Sequence, residues 1–309
     1  MTTTTPATRT APIGLGLAGM TACISGVSVF VNGYGVRRWS DATAYTTAKN
    51  LIAALVLGSV LVAVAATRAR PPAAATRRPR AAMLAVAVLG GSVPFVLFFE
   101  GLARASSPDA AFLHKTLVLW VPLLAVPALG ERTGALHVGA IALLFSGQAV
   151  LAGGVDEIGR GSGEALILAA TLLWAIETVI ARRLLRGSVP APTLAVVRMG
   201  GGVVLLLAWV ALRGDIGILT GAGAGAWGWA VLTGGLLSLY VLGWYAALAR
   251  AQAVDVTSVL VIGALVTAAL DSGVGGVAAP TPVALVLLVA GGLLAAVAAL
   301  AAPARAEAA

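Results

Sequence analysis

Hydrophobic positions in this chain fall into long uninterrupted runs rather than short alternating ones. Ten apolar segments stand out, near 13–33, 43–66, 81–103, 110–129, 134–153, 164–185, 191–212, 226–249, 254–274 and 282–302. Four long stretches, 81–99, 133–155, 216–249 and 272–304, hold no charged residue. The hydrocarbon core of a bilayer is about 30 Å thick and takes about 20 apolar residues per helix. Each segment therefore predicts one membrane-spanning α-helix. The period-two alternation of a transmembrane barrel is absent. The intervals between segments are short, leaving no room for a separate soluble domain. The expected fold class is an all-α membrane protein with ten transmembrane helices.

Composition agrees with lipid as the solvent. Of 309 residues, 60% are hydrophobic and 10% charged, and the mean hydropathy is +0.99; a soluble domain carries about 25% charged residues. The single cysteine, Cys23, excludes an intramolecular disulfide and reads as a small packing residue. Met1 to Pro12 has one charge, Arg9, and no cleavable-signal layout, so the first segment is expected to be retained as a helix.

The net charge of +8 comes from cations in short loops, which points to membrane orientation rather than to nucleic acid. With the N-terminus inside, the inner loops hold Arg9, Arg68, Arg70, Arg77, Arg78, Arg80, Arg132, Arg182, Arg183, Arg186, Arg250 and Arg305. The outer loops hold Arg37, Arg38, Arg104, Arg160 and Arg213. This bias places both termini in the cytoplasm, in the cytoplasmic (inner) membrane.

An internal repeat sets the expected architecture. Val36-Arg37-Arg38 recurs as Ala181-Arg182-Arg183 at an offset of 145. Ala103-Arg104-Ala105 with Asp109 recurs as Ala249-Arg250-Ala251 with Asp255 at an offset of 146, which also relates Gly130 to Gly276. Residues 1–155 and 156–309 are thus read as two five-helix halves. Five is odd, so the second half enters the membrane upside down. Inverted repeats of this kind recur in secondary transporters, where the halves enclose a site near the midplane.

These residues resemble the drug/metabolite transporter superfamily, of the EamA-like ten-helix type. Leu172-Leu173-Trp174-Ala175-Ile176-Glu177-Thr178-Val179-Ile180-Ala181-Arg182-Arg183 resembles the family's sixth helix. Phe98-Phe99-Glu100-Gly101-Leu102-Ala103-Arg104-Ala105 and Gly243-Trp244-Tyr245-Ala246-Ala247-Leu248-Ala249-Arg250-Ala251 resemble its third and eighth helix ends. Leu129-Gly130-Glu131-Arg132 resembles the close of its fourth. The resemblance covers nearly the whole chain and implies two five-helix repeats, an inner-membrane location and export of small metabolites. It departs from the family where prolines are common in the fourth and ninth helices: Val118 and Ala264 stand there. The second Gly-Glu is Gly276-Val277.

Charge at a helix centre costs about 2.5–3.5 kcal/mol unless paired or hydrated, so each polar residue within the segments is informative. Glu100 and Lys115 lie equally far from the turn near Ser107-Pro108, roughly 10 Å inside at 1.5 Å per residue, and are placed to form an ion pair. Glu100 with Arg104, four apart on one helix, is the competing pair. Asn32 and Lys49 are equidistant from the turn near Ser40, as Glu177 and Arg198 are from the one near Gly187. The repeat makes Asn32 the counterpart of Glu177, and Lys49 roughly that of Arg198.

The candidate substrate-binding residues are Lys49, His114, Lys115, Arg198, Tyr240 and Trp244. Glu100 and Glu177 are candidates for proton coupling or ion pairing. Asn32, Phe95, Phe99, Trp120 and Trp174 are candidate cavity lining. Tyr240 and Trp244, four apart, share a helix face. His137 reads as interfacial, and Gln148 and Asp271 as structural. The cationic groups favour an anionic group such as a carboxylate, and the aromatic set favours amphipathic or aromatic solutes.

No P-loop, dinucleotide fingerprint or metal-spaced His/Cys set occurs, so no cofactor, metal or catalytic residue is assigned. The expected function is a non-enzymatic secondary transporter exporting a small metabolite by alternating access, with proton coupling as one route. Its expected partners are the solute and lipid, with no nucleic acid and a homodimer left open. The alternative is an intramembrane enzyme acting on a lipid or isoprenoid phosphate.

Overall fold

The protein is described by a computed structural model over residues 10–66, 79–102, 104–105, 107–155, 159–187, 189–276 and 279–301. Arg9, Arg68, Arg70, Arg77, Arg78, Ala103, Val277 and Arg305 lie outside the described residues. Every regular element is a helix: α1 (Thr10–Val36), α2 (Ala42–Ala66), α3 (Arg80–Gly91), α4 (Val93–Leu102), α5 (Ser107–Lys115), α6 (Leu117–Leu129), α7 (Ala135–Leu151), α8 (Ser162–Arg186), α9 (Ala191–Leu212), α10 (Ile216–Gly221), α11 (Ala224–Leu248), α12 (Ala253–Leu260), α13 (Gly263–Gly273) and α14 (Pro282–Ala301). They make ten spans, the third being α3–α4, the fourth α5–α6 and the ninth α12–α13. Among the described residues nine are long and apolar enough to cross a bilayer, and α7 is a shorter apolar helix of 17 residues. The protein is a multi-pass membrane protein.

Three spans are interrupted where the backbone ladder fails. In the third, Pro94 has no N–H to offer the carbonyl four residues back, so the helix restarts after Ser92. Ser92 returns its own hydroxyl to Val88 O at 3.1 Å. The fourth span breaks at Thr116, whose N–H reaches both Phe112 O and Leu113 O at 3.2 Å. The ninth breaks 145 residues later, where Val261 and Ile262 donate to the third carbonyl back at 3.3 and 3.1 Å. Such tight turns let a helix change direction within lipid while keeping its polar groups paired.

Packing follows a pattern of exchange between halves. α1 lies on α11, and α8 on α3 and α4; α2 lies on α11, and α9 on α3; α1 lies on α12 and α13, and α8 on α5 and α6. The remaining major contacts, α2 with α9 and α7 with α14, map onto themselves. The α7–α14 seam shows this atom by atom. A methyl on Gly147 would meet Leu288 at 2.8 Å, and one on Gly291 would meet Leu144 at 2.8 Å. Small residues let helices approach closely where lipid supplies no hydrophobic drive for association.

Candidate functional site

A cavity of about 140 Å³ lies within the bundle. Its walls are Ser25, Ser28 and Val29 of α1, Phe95 of α4, His114 of α5 and Leu117 of α6, with Trp174, Glu177 and Thr178 of α8, Arg198 of α9 and Leu237, Tyr240 and Trp244 of α11. Tyr240 and Trp244 stack at 6.3 Å and 8°. Trp174 meets Phe95 edge-on at 5.4 Å and the His114 ring at 5.1 Å. An engineered apolar cavity of roughly 150 Å³ holds one benzene, so this space suits a ring-sized body.

Glu177 and Arg198 form the polar side of the cavity. Both are buried, and Arg198 Nη1 lies 3.7 Å from Glu177 Oε2. Tyr245 donates its hydroxyl to Glu177 Oε1, and its ring lies 5.7 Å from the guanidinium carbon. Arg198 Nε has no hydrogen-bond partner. Local sequence makes room for the pair: a methyl on Gly90 would fall 2.7 Å from Glu177 Cγ and 3.1 Å from Arg198 Nε. Pro94 contributes indirectly. By withholding an N–H it frees Gly90 O, which accepts from Trp174 Nε1 at 3.2 Å and fixes that ring in the wall.

A second polar cluster lies beside α1. Asn32 Oδ1 accepts from Tyr45 Oη at 2.7 Å and from Lys49 Nζ at 3.1 Å. Asn32 Nδ2 donates to Ser28 O at 2.6 Å and Ser28 Oγ at 3.1 Å, joining this cluster to the cavity wall. Tyr45 also reaches Thr233 Oγ1 at 3.0 Å, and Thr233 donates to Trp229 O at 2.8 Å. Lys49 is 7% exposed. Its ammonium sits 5.4 Å from the Phe99 ring and 5.6 Å from the Tyr45 ring.

The ends of the bundle are tied differently. At one end Arg213 bridges Asp41, Glu100 and Asp215 at 3.2, 2.9 and 2.9 Å. Glu100 also pairs with Arg104 at 3.1 Å. The expected Glu100–Lys115 pair is therefore not formed: Arg213 arrives just past the end of α9, an element the hairpin geometry of the third and fourth spans does not include. At the other end Gly130, with φ of 61°, ends α6 and turns the chain into Glu131. Glu131 is 3% exposed and accepts from Ala253 N at 2.9 Å, Val254 N at 3.1 Å and Arg182 Nε at 3.3 Å, closing the N-terminus of α12. His137, expected at the interface, is instead 8% exposed and bonded to Asp255 at 3.1 Å.

Of the sequence candidates, the cavity gathers Phe95, His114, Trp174, Glu177, Arg198, Tyr240 and Trp244. Asn32, Lys49 and Phe99 meet in the second cluster. Glu100 belongs to the Arg213 end. Lys115 and Trp120 are outside the cavity wall; Trp120 Nε1 donates to Thr116 Oγ1 at 3.0 Å, across the break in the fourth span. Sequence reading gives no role to Ser25 and Ser28, and meets Thr178 and Glu131 only inside family-like motifs. Ser25, Ser28 and Asn32 recur at three and four residues, a helical face that carries the signal. Among the described residues no three His, Cys, Asp or Glu side chains converge as a metal site.

These features define a multi-pass helical protein with a ring-sized cavity lined from both its first five and its last five spans. Residues 12–153 match the model of the EamA-like transporter family. Over those first five spans the chain is similar to the EamA-like family, whose members are membrane transporters of the drug/metabolite type. No curated protein matches the sequence. A solved crystal structure shares the fold, with 18% identity, a TM-score of 0.71, and coverage of 91% of this chain and 97% of its own.

Proposed function

We propose that this protein is a secondary transporter that exports a small metabolite across the cytoplasmic membrane by alternating access. The solute is amino-acid-like, organic-acid-like, or an amphipathic aromatic compound. The observation that carries this reading is the cavity itself, with Glu177 and Arg198 on one side and Trp174, Tyr240 and Trp244 around it. Charged side chains within membrane-spanning helices are costly, and those that persist mark a pathway or a structural contact. Here one guanidinium nitrogen, Nε, is left over.

Two inverted repeats, 1–155 and 156–309, give the motion its geometry. The exchange of packing partners between halves supports that division. Arg80, Arg132, Arg182, Arg183, Arg186 and Arg250 cluster at the Glu131 end, supporting that end as cytoplasmic.

The test is counterflow in proteoliposomes. Preloaded vesicles are offered radiolabelled amino acids, organic acids and aromatic amines. Uptake above empty vesicles, lost in Arg198→Met with the protein still monodisperse, is the expected result. A folded protein that moves none of these classes overturns the proposal.

A further inference from the structure

Lys49 and Arg198 occupy equivalent settings in the two halves. Each is a buried cation in the second helix of its half, α2 or α9. Each lies near an aromatic ring, and the two rings are 146 residues apart: Phe99 at 5.4 Å from Lys49, Tyr245 at 5.7 Å from Arg198. Each faces a polar side chain from the first helix of its half, Asn32 or Glu177, at an offset of 145. Each also offers its backbone carbonyl to a glycine of the opposite half. A methyl on Gly234 would fall 2.7 Å from Lys49 O, and one on Gly91 would fall 2.0 Å from Arg198 O.

The chemistry of the two settings differs in one respect. Arg198 faces a carboxylate, so its charge is cancelled within the protein. Lys49 faces the neutral amide of Asn32, and no acidic side chain pairs with it among the described residues. The cluster is also rich in donors. The Lys49 ammonium, with three hydrogens, and the Tyr45 hydroxyl share Asn32 Oδ1, and Tyr45 also reaches Thr233 Oγ1. Thr233 has spent its own hydrogen on Trp229 O. On the same helix, Thr46 Oγ1 and both ends of Asn50 are buried without partners, at 1% and 0% exposure. Uncompensated charge and surplus donors together describe a site short of an anion.

We propose that the Asn32–Tyr45–Lys49 cluster is an anion subsite that takes the single negative group of the transported solute. Ser28, which lines the cavity and holds Asn32, is the connection to the apolar body of that solute. The substrate class is a small monoanion, of carboxylate type, with a ring-sized apolar part. This rests on the transporter reading and adds to it the charge of the cargo.

The test compares benzoate with its neutral isostere benzamide, by thermal stabilisation of the purified full chain in detergent. Wild type is expected to be stabilised by benzoate and not by benzamide. Lys49→Met is expected to weaken benzoate binding by about tenfold or more, and Lys49→Arg to restore it. Equal response to both probes, response to neither, or a benzoate preference that survives Lys49→Met overturns the subsite. Should Lys49→Met not fold, Asn32→Leu, which removes the shared acceptor, replaces it with the same expectation. Vesicle counterflow separates the two readings. Benzoate selectivity without flux of any solute sinks transport alone, and flux of neutral or cationic solutes without benzoate preference sinks the subsite alone.

Discussion

Gly91 of α3 and Gly202 of α9 meet backbone to backbone. A methyl on Gly91 would lie 2.0 Å from Arg198 O, and one on Gly202 would lie 2.3 Å from Gly91 O. Neither obstacle is a side chain that can swing away. Gly91→Ala and Gly202→Ala are therefore expected to lower the thermal unfolding midpoint, each by an overpacking cost of about 1–3 kcal/mol or more. Gly200→Ala, two residues away and facing open space, is the control. It is expected to be neutral or slightly stabilising, since alanine is the better helix former by about 1 kcal/mol.

Removing one member of the buried Glu177–Arg198 pair leaves the other unpaired. Glu177→Gln is expected to cost about 3–5 kcal/mol, the usual scale for stranding a buried charge. The double variant Glu177→Gln/Arg198→Met is expected to regain most of that stability. Thermal unfolding of the two variants and wild type reads the difference. A single variant as stable as wild type would show that Arg198 does not depend on this carboxylate.

The Trp174 ring is held by a carbonyl that Pro94 has freed. Trp174→Phe leaves Gly90 O without its donor, an expected loss of about 1–3 kcal/mol. Pro94→Ala returns an intrahelical N–H to the same acceptor. The two changes together are thus expected to cost less than their sum, with a coupling of about 0.5–3 kcal/mol in a double-mutant cycle. Simple additivity would sever the link between proline and indole.

Glu131 ties the fourth span's end to α8 and α12. Glu131→Ala removes the acceptor for two backbone amides and the partner of Arg182. Loss of a helix cap alone costs about 0.5–2 kcal/mol. The variant is expected to lose stability and to raise labelling of cysteines placed at 133 and 251. Glu131→Gln, which keeps an acceptor oxygen, is expected to do both less. Unchanged labelling in Glu131→Ala would mean that this end is closed by other contacts.

Membrane sidedness can be mapped directly. In a Cys23→Ser background, cysteines at 38, 160 and 213 are expected to label from one side of sealed vesicles and those at 133 and 250 from the other. Labelling of 38 and 133 from the same side would break the alternation of the spans.

Much of the fold was legible because lipid imposes long apolar runs. The sequence boundaries 191–212, 43–66 and 282–302 correspond to Ala191–Leu212, Ala42–Ala66 and Pro282–Ala301. The breaks at Ser92, Thr116 and Val261 were not read. Each is only one or two residues wide and leaves hydropathy unchanged. The short α10 was hidden inside the uncharged run 216–249 for the same reason.

The candidate site was legible where partners sit on consecutive helices joined by a tight turn. Counting from turns places Asn32 near Lys49 and Glu177 near Arg198, and the atoms lie at 3.1 and 3.7 Å. The same counting fails for Glu100, because Arg213 comes from a helix more than a hundred residues away. Tyr245 was invisible as a partner of Glu177 for that reason too. Glu131 was seen only as part of a family-like turn. Its task depends on where α12 begins in space.

The matched notches of α7 and α14 have one more consequence. A seam that coincides with its own image gives no clue to which leaflet is which. Polarity must therefore be written elsewhere, in the unequal numbers of loop arginines at the two ends. Moving that arginine surplus from one end to the other, and leaving every glycine in place, is the change that would turn the molecule over.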